Sequence, residues 1–119
     1  MTSKMKTQSA AWKALEAITK RFASLEGRKP GAIQFQLTGG ESAEFALEVD
    51  ERRQVKQIAG KSRLKPSILI SGDEKQIRMV LEGKREATRA FLGGGIQVRG
   101  DIRYLERVLQ ELKLLKPAD

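Results

Sequence analysis

Two runs of alternating apolar and polar residues flank a glycine pair, and their parity restricts what this chain can form. Ile33, Phe35 and Leu37 alternate with Gln34, Gln36 and Thr38; after Gly39-Gly40-Glu41-Ser42, the residues Ala43, Phe45, Leu47 and Val49 alternate again. Period-two runs of this kind are half-buried strands, and a hairpin must turn both apolar sets to one side. Phe35 therefore belongs opposite Phe45 or a residue two away, never opposite Glu44. That demands an odd loop such as Gly39-Gly40-Glu41, where glycine supplies the positive φ of a bulged turn.

The flanking segments change period. Ala11, Leu15, Ile18, Phe22 and Leu25 form one stripe on a helix expected over 9–26, with Gly27 as a left-handed terminator and Pro30 beyond it. Asp50-Glu51-Arg52-Arg53 reads as a turn and Gln54–Ala59 as a third strand. A basic connection, Gly60–Pro66, leads to the short apolar strand Ser67–Ile70. Ser71 with Glu74 three residues on is a capping-box pattern opening a helix that carries Ile77, Val80 and Leu81 and ends at Gly83. A shorter helix, Lys84–Leu92, stops at Gly93-Gly94-Gly95, and Ile96–Arg99 reads as a strand. Gly100-Asp101 caps a last helix with the stripe Ile102, Leu105, Val108, Leu109 and Leu112, closed by Pro117. The order α-β-β-β-β-α-α-β-α, with a hairpin-linked three-strand meander and singly striped helices, points to an α/β (α+β) domain whose helices cover one sheet face. Residues 1–8 are expected to be a flexible tail, and 9–119 one domain.

The chain has 119 residues with no His and no Cys, so disulfides, thiolate metal sites and His-based nucleophilic machinery are excluded. Acid–base chemistry is left to Asp, Glu, Lys or Tyr104. No run approaches the roughly 18 apolar residues of a membrane span, and Met1–Thr7 has no apolar segment behind its basic residues, so a cytoplasmic protein is expected. The net charge is +8. Residues 1–30 carry seven bases and two acids and residues 51–70 six and one, while 31–50 carry four acids and no base. A basic surface attracts anionic lipid, nucleic acid or acidic small molecules.

Several motifs are weaker than they look. Gly93-Gly94-Gly95 lies between a helix and a strand, the reverse of a phosphate-binding loop. Glu44, Glu48 and Asp50 on one strand face read as solvated edge charges, with no metal site. Nucleic acid is disfavoured because only six aromatics exist and four are Phe on apolar faces. Periodicity alone does not say whether the apolar layer is solid or hollow.

Ile77–Leu81 followed by Glu82-Gly83-Lys84, then Ala90-Phe91-Leu92-Gly93-Gly94-Gly95-Ile96-Gln97-Val98-Arg99-Gly100-Asp101 and an amphipathic helix, resembles the sterol carrier protein type-two domain family. The upstream order also fits, so the likeness spans about residues 9–115. It implies a five-stranded sheet, a helix-covered apolar cavity, and non-catalytic binding of a sterol, fatty acid, acyl-CoA or other lipid, without a cofactor. Mapped onto this chain, the implied liners are Leu15, Ile18, Phe22, Phe35, Phe45, Leu47, Ile77, Leu81, Phe91, Leu105 and Leu109. The turn at 50–53 lacks the family's usual glycine, and the ending Lys116-Pro117-Ala118-Asp119 is no peroxisomal address, which favours a stand-alone lipid binder. Burying a lipid chain gains about 0.8 kcal/mol per methylene, so apolar contacts supply affinity but little selectivity. Arg52, Arg53, Lys61, Arg63 and Lys65 are the candidates for an anionic headgroup or membrane surface. Two other readings stay open: a solid-cored interaction module docking through the basic surface, and an enzyme using carboxylates or Tyr104.

Overall fold

The structure, a computed structural model, describes residues 10–39 and 43–114, with Phe91 described by its backbone only. The elements follow the expected order: α1 (Ala10–Phe22), β1 (Gly31–Thr38), β2 (Ala43–Val49), β3 (Val55–Ala59), β4 (Pro66–Asp73), α2 (Glu74–Leu81), α3 (Ala87–Leu92), β5 (Ile96–Gly100) and α4 (Ile102–Glu111). They form a five-stranded sheet in the order β3-β2-β1-β4-β5. The meander β1-β2-β3 is antiparallel, β4 runs parallel to β1, and β5 is antiparallel to β4.

Register obeys the parity argument. Phe35 pairs with Phe45 and Ile33 with Leu47, so both apolar sets face the helices. The turn residues 40–42 lie outside the described residues, as do the expected tail 1–8 and Pro117. Ile68 and Ile70 of β4 join the same face through their pairing with Ile33 and Phe35.

The parallel β1–β4 pair requires a crossover from β3, and residues 60–65 make it across the sheet face away from the helices. Buried Gln34 holds that strap: its amide donates to the Gly60 carbonyl at 3.0 Å, and its Oε1 accepts the Ser62 N–H at 2.9 Å. Glu48 Oε2 accepts from the Ser62 hydroxyl at 2.6 Å and from the Arg63 N–H at 3.0 Å. Glu44 accepts from the Gln34 and Gln36 amides. Asp50 Oδ1 accepts the Arg52 and Gln54 N–H groups and closes the β2–β3 turn. Glu44 and Glu48 are thus half-buried structural acceptors rather than solvated edge charges, Asp50 is exposed as expected while closing its turn, and β2 is an inner strand.

Element ends depart from expectation for identifiable reasons. Strand β4 runs on to Asp73 because Ser71 pairs with Gln36 and Gln97, so the cap of α2 is Asp73, whose carboxylate accepts the Gln76 N–H at 3.2 Å. At the other end Gly83 (φ 76°) donates to Val80 and Lys84 to Met79, a Schellman closure that absorbs the residues expected to open α3. Helix α1 stops at Phe22 and closes through short turns, and Gly27 does not take a left-handed conformation. Asp101 caps α4 as expected, accepting from Tyr104 N–H at 3.1 Å. Ile102, placed on the buried stripe by spacing, is 50% exposed, because it opens α4 directly after β5 ends, before the helix reaches its buried stretch from Tyr104.

Candidate functional site

Between sheet and helices lies a cavity whose walls are entirely Leu, Ile, Val, Phe and Ala. Ile33 and Phe35 of β1, Leu47 of β2, Ile70 of β4 and Ile96 of β5 form its floor. Leu15, Ile18 and Phe22 come from α1, and Ile77, Val80 and Leu81 from α2. Ala87 of α3, Leu105, Val108 and Leu109 of α4, and the following Leu112 and Leu114 complete it. Its free volume is about 60 Å³. A dry apolar cavity of about 150 Å³ accepts a benzene, so a longer guest needs the walls to move apart.

Of the eleven residues that the resemblance implied, nine reach this wall. Phe45 shares the helix-facing side of the sheet and is fully buried, but it stands outside the cavity lining, held between Trp12 (edge-on, 5.7 Å between ring centroids) and Phe35 (5.6 Å). It is a packing residue there rather than a liner. The Phe91 side chain lies outside the described residues. Sequence reasoning missed Ile33, Ile70, Val80, Ala87, Ile96, Val108, Leu112 and Leu114. Alternation and helical stripe had already marked Ile33, Val80, Val108 and Leu112 as apolar-face positions, and Ile70 belonged to a continuous apolar strand, whereas Leu114, beyond the last helix, carried no periodic signal.

Helix α4 closes the cavity with few polar ties. At its start the buried Tyr104 hydroxyl accepts the Lys29 N–H at 2.9 Å, and the Lys29 ammonium stands 5.3 Å over the Tyr104 ring. At its end the Arg21 guanidinium donates to the Leu112 carbonyl, and Ala87 N–H reaches the Leu114 carbonyl at a long 3.3 Å. Burial pushes the Tyr104 phenol pKa up, against the lowering effects of the Lys29 N–H and the Arg28 charge. The hydroxyl is outside the cavity wall. No group of three or more His, Cys, Asp or Glu side chains able to hold a metal occurs among the described residues.

The predicted cations divide. Strand register brings the 50–54 turn, the start of β4 and the end of β5 to one end of the sheet, where Arg52, Arg53, Arg63 and Lys65 are exposed. Arg28 is tied in by donating to the Arg53 carbonyl at 2.7 Å, and Arg99 and Arg103 stand there as well. Leu64, 36% exposed, and Ile102 sit among these charges. Lys61 does not join them, since it follows β3 at the opposite end, where Gly60 N–H bonds the Glu44 carbonyl.

The sequence profile of the SCP-2 sterol transfer family matches residues 8–113. This chain belongs to that family. Solved SCP-2 structures share the fold at low identity. The sterol carrier protein domain 2 of Helicoverpa armigera superposes with a TM-score of 0.74 at 12% identity, covering 95% of this chain and 94% of its own. Sterol carrier protein-2 of Aedes aegypti, solved in complex with palmitate, gives 0.68 at 15% identity over 92% of this chain and 99% of that one. Sterol carrier protein 2 of Yarrowia lipolytica in its apo form gives 0.58 at 17%, covering 98% and 87%. No curated protein sequence matches the chain. No described helix is long and apolar enough to cross a membrane.

Proposed function

We propose that this SCP-2 chain is a non-catalytic lipid carrier that takes the hydrocarbon part of a fatty acid, acyl ester or sterol between its sheet and helices. The observation that carries this is the wall itself: seventeen residues from eight elements and the α4 tail converge on one space, and none is polar. Each methylene moved into it gains about 0.8 kcal/mol, so a twelve-carbon chain gains on the order of 10 kcal/mol before the costs of association and of parting the walls. The palmitate complex of the Aedes aegypti protein supports a single-chain guest. A wall without titratable groups offers no acid, base or nucleophile to a bound lipid. The charged sheet end, with Leu64 and Ile102 exposed among Arg52, Arg53, Arg63 and Lys65, suits transient contact with an anionic membrane during delivery.

The small free volume also suits the competing reading, a solid-cored module that binds a partner through its basic surface. Lipid uptake separates the two. Native mass spectrometry of freshly purified protein should show a co-purified amphiphile, and a fluorescent fatty acid should be displaced by palmitate. Leu109→Arg, at a half-buried position on the wall, should fold and lose that uptake. Unchanged affinity in the folded variant, or no uptake by the native protein, would overturn the carrier reading.

A further inference from the structure

Helices α2 and α3 contribute to the wall of the apolar cavity and also to a second concavity. Ala87 and Ala90 point inward and are buried, and Ala87 lines the apolar cavity. Their neighbours Thr88 and Arg89 are exposed and line a groove of about 800 Å³ on the outer side. Helix α2 divides in the same way: Val80 and Leu81 face the cavity while Met79 faces the groove. Lys84, Arg85 and Glu86, between the two helices, complete the groove.

Its chemistry is cationic and incomplete. Three cations and one carboxylate line it; Lys84 Nζ pairs with Glu82 Oε1 at 3.4 Å at its edge, and Glu86 accepts the Arg89 N–H at 3.3 Å. The Nε–H of Arg85 is shielded from solvent and has no hydrogen-bond acceptor among the described residues. An unpaired buried donor on a charged group is costly, and an anion beside it relieves that cost. Guanidinium groups match phosphate oxygens in pairs, and a phosphomonoester carries close to two negative charges near neutral pH.

We propose that this groove holds the phosphate of an amphiphile whose hydrocarbon chain lies in the cavity behind α3. The inference rests on the carrier reading above and adds a headgroup class and its site. Helix α3 is suited to yield between the two halves of such a ligand: it has six residues, and its first ties, Ala87 N–H to the Leu114 carbonyl and Ala90 N–H to the Glu86 carbonyl, are both 3.3 Å long.

The test compares hexadecyl phosphate with hexadecanol, which share one chain, by calorimetric titration. The native protein should bind the phosphate about tenfold or more tightly, through charge-assisted bonds the alcohol lacks. Lys84→Gln with Arg89→Gln, both at exposed positions, should erase that advantage and leave hexadecanol binding unchanged. Arg85→Lys, which keeps the charge but loses Nε, should reduce the advantage in part. Inorganic phosphate should compete with hexadecyl phosphate and not with hexadecanol. Equal binding of the two amphiphiles, or an advantage that survives the double substitution, would overturn the groove assignment while leaving the carrier reading intact. Inorganic phosphate bound as tightly as hexadecyl phosphate would give the groove to a free anion and overturn its link to the cavity. Failure of both chains to bind would instead overturn the carrier reading on which the inference rests.

Discussion

Phe35 and Phe45 meet across β1 and β2 with their ring planes at 42°, yet the cavity touches Phe35 alone. Trp12 occupies the far side of Phe45 and seals it into the packing between α1 and the sheet. The two rings are equivalent in pattern and different in role.

Truncating either ring to alanine is expected to cost about 3–5 kcal/mol in urea denaturation, the usual range for a buried Phe. The variants should part when palmitate is added. Phe35→Ala widens the space that a guest fills, so ligand should restore more of its stability than it restores in Phe45→Ala. Equal restoration would show that both rings border the ligand.

Gln34 is expected to be the most sensitive polar position. Its side chain bonds Gly60 and Ser62 in the strap and the Phe45 carbonyl beneath it. Gln34→Ala leaves these backbone groups unpaired under the strap, at about 1–3 kcal/mol for each one that water does not reach. Amide exchange at Ser62 should accelerate well before the sheet amides do. Exchange that rises uniformly across the sheet would show that the strap is no separate unit.

Tyr104 gives a pH dependence with a defined sign. Its pKa is raised in the folded state, so the unfolded chain loses the phenolic proton first as pH rises. The stability linked to this group is complete below about pH 10, the ordinary tyrosine value, and declines as pH climbs through the folded value. Tyr104→Phe should be less stable at neutral pH by roughly 1 kcal/mol for the bond from Lys29 N–H. Its stability should also fall less steeply than the native protein's above pH 10. Parallel curves would mean that the phenol titrates alike in both states.

Gly100 sits at φ 111°, and a Cβ there would overlap the Ser67 carbonyl oxygen, which accepts the Asp101 N–H at 2.9 Å. Gly100→Ala is expected to cost about 1–3 kcal/mol from backbone conformation alone, with the overlap added. Thermal denaturation measures the total, and faster exchange of the Asp101 amide would locate it at the β4–β5 seam. A variant of native stability would show that the seam opens freely.

Element order, hairpin register and the apolar faces were legible in the sequence because side-chain period reports directly on helix and strand. What escaped depends on contacts between distant segments. Ser71 matches a capping pattern, but pairing with β1 and β5 carries the strand two residues further and hands the cap to Asp73. Ile102 fits the α4 stripe, yet it opens the helix and stays half-exposed. Glu44 and Glu48 look solvated until a crossover, invisible to periodicity, is laid over them. Phe45 belongs to the inward face like Phe35, and only the seating of Trp12 separates packing from lining. The groove at Lys84, Arg85 and Arg89 left no mark at all, since it forms where the chain passes from α2 to α3 and not along one periodic element.

The strap over Gln34 and Glu48 has a kinetic consequence. Stitched from behind, the strands cannot bow outward, so a guest gains entry only when the helical side breathes. Capture should therefore level off at high lipid concentration, at a ceiling set by the protein's own opening frequency rather than by encounter.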